Sequence, residues 1–163
     1  MRKHTMFAVA IVFSLLSVVA GAQERLQRVE VFGGYQFTHF EPSLNVSGWN
    51  TALNGNFNRW LGITGDFGGS YDNGAHLYTF LVGPTFSART KRLTPYAHAL
   101  FGVAGGCGSC DAAFTTAIGG GLDASANDHL AFRLVQADWL LFRSGGYTDK
   151  RNVRVSTGLV VRF

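Results

Sequence analysis

The sequence predicts an all-β chain folded as an eight-stranded antiparallel up-and-down barrel that crosses a membrane with its strands. Three observations point there. Beyond Gln23 no run of 18 apolar residues occurs, so no helix could cross a bilayer unaided. The chain instead repeats segments of roughly 9 to 13 residues in which every second position is apolar, separated by clusters of Gly, Asn, Asp, Ser or Pro. Its 21 glycines, set beside 14 Phe, 5 Tyr, 3 Trp and only 15% charged residues, suit a twisted closed sheet and disfavour both bundled helices and disorder. A length of 163 residues allows one domain.

The first element is a targeting segment. Arg2, Lys3 and His4 precede an apolar stretch from Met6 to Val19, and Ala20-Gly21-Ala22 offers the small side chains of a cleavage site. As a helix this stretch would reach about 21 Å, short of a ~30 Å hydrocarbon core, so a cleaved signal over residues 1–22 is preferred to a retained anchor. The barrel domain is then residues 23–163. Removing residues 1–22 takes away Arg2 and Lys3 and halves the formal charge of +4, leaving Lys91 and Lys150 as the only lysines. Nucleic-acid binding is not indicated.

Eight strands are predicted in order. Arg28 to Phe40 sets Val29, Val31, Tyr35 and Phe37 against Glu30, Gly34, Gln36 and Thr38, with Phe32 interrupting the polar side. Gly48 to Arg59 alternates Trp49, Leu53 and Phe57 with Asn50, Asn54, Asn56 and Asn58, a pattern that a helix would scramble. Leu61 to Tyr71 sets Ile63, Phe67 and Tyr71 against Thr64, Asp66 and Ser70. His76 to Arg89 sets Tyr78, Phe80, Val82 and Phe86 against Leu77, Thr79, Leu81, Thr85 and Ser87. Thr94 to Ala104 opposes Ala97, Ala99, Phe101 and Val103 to Tyr96, His98, Leu100 and Gly102. Asp111 to Ala124 opposes Phe114, Thr116, Ile118 and Leu122 to Thr115, Ala117, Gly119, Gly121 and Asp123. Leu130 to Arg143 begins regularly and loses register at Val135-Gln136-Ala137-Asp138, where a β-bulge would turn Gln136 and Asp138 off the apolar face. Asn152 to Phe163 alternates cleanly, with Val153, Val155, Thr157, Leu159 and Val161 against Arg154, Ser156, Gly158 and Arg162.

Alternation alone does not say which face is outside, because a soluble ligand-binding barrel alternates too. Packing decides. Glycine, serine, threonine and asparagine with a few charges fit the narrow interior of an eight-stranded tube, whereas Phe, Leu, Val and Trp suit acyl chains. In hydrocarbon each unbonded backbone group costs several kcal/mol, so the sheet must close on itself. The breaks around Arg59-Trp60, Thr90 to Leu93 and Ser125 to Asp128 are short and read as periplasmic turns. Those centred on Glu41 to Ser47, Asp72 to Ala75, Gly105 to Cys110 and Ser144 to Arg151 would face outside. Two aromatic girdles are expected, with Trp60, Phe86, Tyr96 and Phe163 at the periplasmic level and Phe37, Trp49, Tyr71, Tyr78 and Phe142 at the outer level. A general preference of aromatics for strands is the alternative for any one of them.

From about Arg28 to Phe163 the chain resembles the small eight-stranded outer-membrane barrels, of the outer membrane protein A transmembrane-domain or porin-family β-barrel type. The resemblance is carried by Val29-Glu30-Val31-Phe32-Gly33-Gly34-Tyr35, by the block from Gly48-Trp49-Asn50 to Trp60-Leu61-Gly62, and by Ser156-Thr157-Gly158-Leu159-Val160-Val161-Arg162-Phe163. It implies that Phe163 and the alternation before it act as the signal presented to the barrel assembly machinery. Nothing follows Phe163 that would match the family's peptidoglycan-binding domain, so cell-wall anchoring is not expected.

Glu30, Asp66 and Asp123 are expected to face inward together with Arg133, Arg154 and Arg162, and to pair, since lone charges in a nearly dry lumen are very costly. Such a network is a static polar core or a plug that rearranges to gate a narrow pore. Cys107 and Cys110 sit in an outer loop of an exported chain, where a disulfide is favoured over redox or metal chemistry. No metal set is expected, because His39, His76, His98 and His129 lie on different segments. Gly119 to Gly121 opens no helix and reads as close backbone approach rather than a phosphate cradle. Ser70 and Ser87 lie on other strands than His98 and lack a nucleophile-elbow context, so a barrel hydrolase is only a minor alternative and no catalytic residue, enzymatic role or cofactor is expected. The leading expectation is a monomeric integral outer-membrane protein with both termini periplasmic and a structural or surface-interaction role. Its partners would be outer-membrane lipid and, during biogenesis, the assembly machinery. A narrow pore is the alternative, and a secreted soluble barrel a third reading.

Overall fold

Apolar residues at every second position send neighbouring side chains to opposite faces of a sheet, and the chain does this eight times. The strands are β1 (Val29–Phe40), β2 (Leu44–Asn56), β3 (Leu61–Asp72), β4 (Ala75–Ser87), β5 (Leu93–Gly106), β6 (Ala113–Ser125), β7 (Leu130–Ser144) and β8 (Tyr147–Arg162). The computed structural model describes residues 28–40, 44–72, 75–106, 112–144 and 147–163. The expected signal over residues 1–22 and the pair Cys107 and Cys110 lie outside the described residues. No helix among those described is long and apolar enough to cross a membrane.

Each strand pairs antiparallel with the next, and β8 returns to β1 from Glu30↔Arg162 to Phe40↔Asn152, so the sheet is a closed barrel with no edge strand. Stepping from partner to partner through Phe32, Ala52, Asp66, Leu81, Gly102, Thr115 and Phe142 climbs from near the start of β1 to near the end of β7. That stagger is the strand tilt a small closed barrel requires.

Three tight turns join the strands at the end that holds the C-terminal residue. Two of them use the same device. Asn58 Oδ1 accepts hydrogen bonds from the backbone N–H groups of Trp60 (2.9 Å) and Leu61 (2.8 Å), and Asn127 Oδ1 accepts from His129 (2.9 Å) and Leu130 (2.8 Å). A short amide side chain thus stands in for a missing backbone partner.

The packing is inverted relative to a soluble protein. Leu53, Phe57, Phe80, Ile118 and Leu159 are exposed on the outside, whereas Glu30, Gln36, Asn50, Asp66, Asp138 and Arg154 are buried inside. The outward threonines Thr51 and Thr157 donate to the carbonyls of Phe32 (2.7 Å) and Arg133 (2.9 Å), which leaves no free hydroxyl on the apolar surface at those points. Two apolar clusters also lie inside: Phe32, Ala52, Ala131 and Val160, and, toward the other end, Leu81, Leu100, Ala117 and Leu140 with Phe142 against them.

Four expectations are corrected. The bulge is at Leu134: Asp123 pairs with Arg133 and Leu122 with Val135, so Leu134 and Val135 both point outward and Gln136 and Asp138 turn in. β2 and β8 begin at Leu44 and Tyr147, earlier than alternation predicted, because strand pairing continues where alternation fades. Tyr96 is no girdle residue: its ring lies under the Arg133 guanidinium inside the barrel. Phe142 likewise packs against the inner cluster, so it stands at the loop end but on the lumen side rather than in a girdle.

Candidate functional site: the charged lumen

The six charges singled out from the sequence all reach the interior, and the register decides which of them meet. Asp138↔Arg154 and Asp123↔Arg133 are direct cross-strand partners, as is Glu30↔Arg162. Asp66 is brought to Arg154 across the lumen.

Arg154 is the centre. Its Nη1 donates to Asp66 Oδ1 (2.8 Å), while Nε (3.0 Å) and Nη2 (2.6 Å) donate to Asp138 Oδ2. The carboxylates are held from their other sides: Asn50 Nδ2 donates to Asp66 Oδ2 (3.0 Å), Gln136 Nε2 to Asp138 Oδ2 (2.7 Å), and His98 Nε2 lies 2.8 Å from Asp138 Oδ1. Gln136 Oε1 in turn accepts from Tyr96 Oη (2.8 Å) and Arg133 Nη1 (2.7 Å). Arg133 closes the chain as a fork on Asp123, with Nε to Oδ1 at 2.9 Å and Nη2 to Oδ2 at 3.2 Å, and is sandwiched between the rings of Phe32 and Tyr96. Hydrogen bonds therefore run unbroken from Asn50 to Asp123.

A second group sits at the turn end. Glu30 Oε1 meets Arg89 Nη1 at 2.9 Å and Arg162 Nε at 3.0 Å, and Glu30 Oε2 accepts from Asn54 Nδ2 at 3.1 Å. Arg162 Nη1 donates to Ser125 Oγ (2.8 Å). Forked and multiply bonded pairs of this kind are the arrangement in which desolvated charges are tolerated.

Glycines make room for the network. A Cβ on Gly119 would stand 2.3 Å from Asp138 Oδ1, and one on Gly121 2.6 Å from Tyr96 Oη. These two positions of the Gly119 to Gly121 run are where side chains from β5 and β7 cross in front of β6.

Sequence reasoning missed Asp138 and Arg89 as network members. Asp138 stood beyond the bulge, although the break in alternation had already turned it inward. Arg89 lies past the end of β4, where alternation no longer indicates a face. His98 was expected inside, and the hydrogen bond to Asp138 is what it does there.

Beside the network lies a small void. The cavity holds about 30 Å³ on the turn-end side, lined among others by Thr64, Thr85, Thr94, Tyr96, Asp123 and Arg133. That is room for about two waters. No group of three or more His, Cys, Asp or Glu is placed to hold a metal ion among the described residues. His98 and Asp138 form a buried pair, and the other oxygen of Asp138 is taken by Arg154 and Gln136.

No protein-family model matches the chain, and no curated protein is significantly similar to it. Solved structures are. Neisserial surface protein A superposes with a TM-score of 0.65 at 12% identity, over 83% of this chain and 96% of that one. The N-terminal β-barrel domain of OprF from Pseudomonas aeruginosa gives 0.55 at 12% identity, over 84% and 98%. The attachment invasion locus protein Ail of Yersinia pestis gives 0.52 at 15% identity, over 83% and 96%. At these identities the likeness is one of fold, and the fold is that of the small eight-stranded outer-membrane barrels.

Proposed function

We propose that the chain is a monomeric integral protein of a Gram-negative-type outer membrane with a structural or surface-interaction role and a lumen closed to solutes. The carrying observation is the inversion itself. A belt of exposed Phe, Leu, Val, Ile and Trp surrounds a closed sheet whose charges are inside and paired. In water that belt would be an aggregation hazard, whereas in lipid it is the surface that stabilises insertion. A closed sheet satisfies its own backbone and needs no second copy to do so.

An even strand count puts both termini on one side, here read as periplasmic, with the tight turns beside them. The other four connections then face the cell exterior, and the names of two structural neighbours, a surface protein and an attachment protein, favour a surface-interaction role over transport. Outer-membrane lipid is the permanent partner. Phe163, 68% exposed, follows directly on β8, the strand proposed to meet the assembly machinery during biogenesis.

A narrow channel is the competing reading. The unbroken network from Asn50 to Asp123 and the two inner apolar clusters argue against it. Purified protein that migrates differently before and after boiling, and gives no steady conductance in planar bilayers, is the expected result. Sustained conductance from the heat-modifiable form would replace this reading with the channel.

A further inference from the structure

The turn end of the barrel carries an unbalanced positive charge in two places, its rim and its lumen mouth. On its rim, Arg28, Lys91 and Arg92 are exposed, and their side chains pair with none of the described residues. Among the described residues the one exposed acid on this rim is Asp128, which is itself engaged. At the lumen mouth, Arg89 and Arg162 converge on the single carboxylate of Glu30, while deeper in, Arg154 alone serves both Asp66 and Asp138. The lumen charge is thus polarised, with its surplus of cations at the turn end. Arg162 Nη2, in a side chain only 4% exposed, has no hydrogen-bond partner there.

The same rim has a stacked aromatic pair. Trp60 and Phe86 lie 6.1 Å apart at 15°, each about half exposed on the outer face. The Trp60 carbonyl accepts from Ser87 N–H at 2.9 Å, which fixes the pair beside the turn that bears Lys91 and Arg92. In sequence the connections of the opposite end are closer to balance, with Glu41, Asp72, Asp111 and Asp149 against Arg143, Lys150 and Arg151.

We propose that the turn-end rim binds the phosphate diester headgroup of an anionic glycerophospholipid. Lys91 and Arg92 meet the phosphate, and Trp60 and Phe86 lie against the glycerol backbone and the first methylenes of the acyl chains. Cations at a membrane surface attract anionic headgroups, and amphipathic rings settle at the same depth. The inference rests on the membrane reading above and adds a lipid preference to one rim.

The test uses the folded full barrel in vesicles with Trp49→Phe and Trp139→Phe, so that Trp60 is the sole tryptophan. Quenching by dibrominated phosphatidylglycerol is compared with quenching by dibrominated phosphatidylcholine. Because both leaflets have one composition, orientation does not matter. The expected association ratio at Trp60 favours phosphatidylglycerol about fivefold or more. It falls toward one with Lys91→Gln and Arg92→Gln together, and is near one when Trp139 is the sole tryptophan instead. A ratio of one at Trp60, or a preference untouched by the double substitution, overturns the proposal. So does a preference abolished by millimolar glycerol phosphate, which would assign the site to a free phosphate ester. No quenching of Trp60 by either lipid would instead sink the membrane reading itself.

Discussion

At the residue scale the barrel depends on one guanidinium and on the glycines that let it be reached. Arg154, 1% exposed, holds two buried carboxylates at once. Removing it leaves both buried and short of their cation, which is far worse than never having the charges. Arg154→Ala should therefore destabilise the barrel by about 3–5 kcal/mol in urea unfolding from micelles. Combining Arg154→Met with Asp66→Asn and Asp138→Asn should restore most of the loss, because amides can still bond to Asn50, Gln136 and His98 while no charge is stranded. Equal loss in the single and triple variants would show that shape, not charge, is what Arg154 supplies. Glycine positions divide in the same manner. A methyl on Gly119 would meet the Ala137 carbonyl oxygen at 2.2 Å and Asp138 Oδ1 at 2.3 Å, whereas one on Gly33 would meet nothing within 4 Å. Gly119→Ala should cost about 1–3 kcal/mol in the same assay and Gly33→Ala less than about 0.5 kcal/mol.

At the element scale, β7 is where sequence and architecture are hardest to reconcile and most informative. Alternation breaks there because two adjacent residues, Leu134 and Val135, share the outer face opposite a single step on β6 from Leu122 to Asp123. Below the bulge Arg133 pairs with Asp123, and above it Gln136 pairs with Gly121. Deleting Leu134 would therefore leave a regular strand with every side chain above and below still on its present face. The deletion should give a folded, heat-modifiable barrel. Deleting Ala137 takes a residue from the regular run beyond the bulge: absorbed at the bulge it turns Gln136 toward lipid, and otherwise it shifts Asp138 toward lipid and Trp139 toward the lumen, so that variant should lose the heat-modifiable band. Identical behaviour of the two deletions would mean the bulge is not where the register places it.

For the molecule as a whole, what was legible followed from lipid on one side and crowding on the other. Wherever hydrocarbon touches the wall, every second residue must be apolar, so Val29 to Phe37 and Val153 to Val161 could be assigned to faces from the sequence. Beyond the hydrocarbon that demand lapses. Strand pairing continues through Asn45, Ser47 and Asp149 with no alternation to reveal it, so the early starts of β2 and β8 are not legible in the sequence. For Tyr96 and Phe142 residue type suggests a girdle while position does not, since each stands two residues from an inward neighbour, His98 and Leu140. The pairings of Arg154 and Glu30 depend on stagger between strands far apart in sequence, which no local pattern encodes.

The distribution of faces also gives the molecule its sharpest overall test. A carbene precursor dissolved in the acyl region reaches only side chains that lipid touches. Phe80 and Val155 are 53% and 40% exposed on the outer wall, while Asn50 and Arg154 are each 1% exposed within it. Photolysis in vesicles should mark peptides at Phe80 and Val155 and spare Asn50 and Arg154. A water-soluble barrel of identical topology would stay out of the acyl region and take up label at none of these positions. Each strand contributes an independent reading of which side is which, so agreement across β1 to β8 would test the wall strand by strand. Label at Asn50 together with none at Phe80 would require the sheet to be turned inside out, and the lumen network with it.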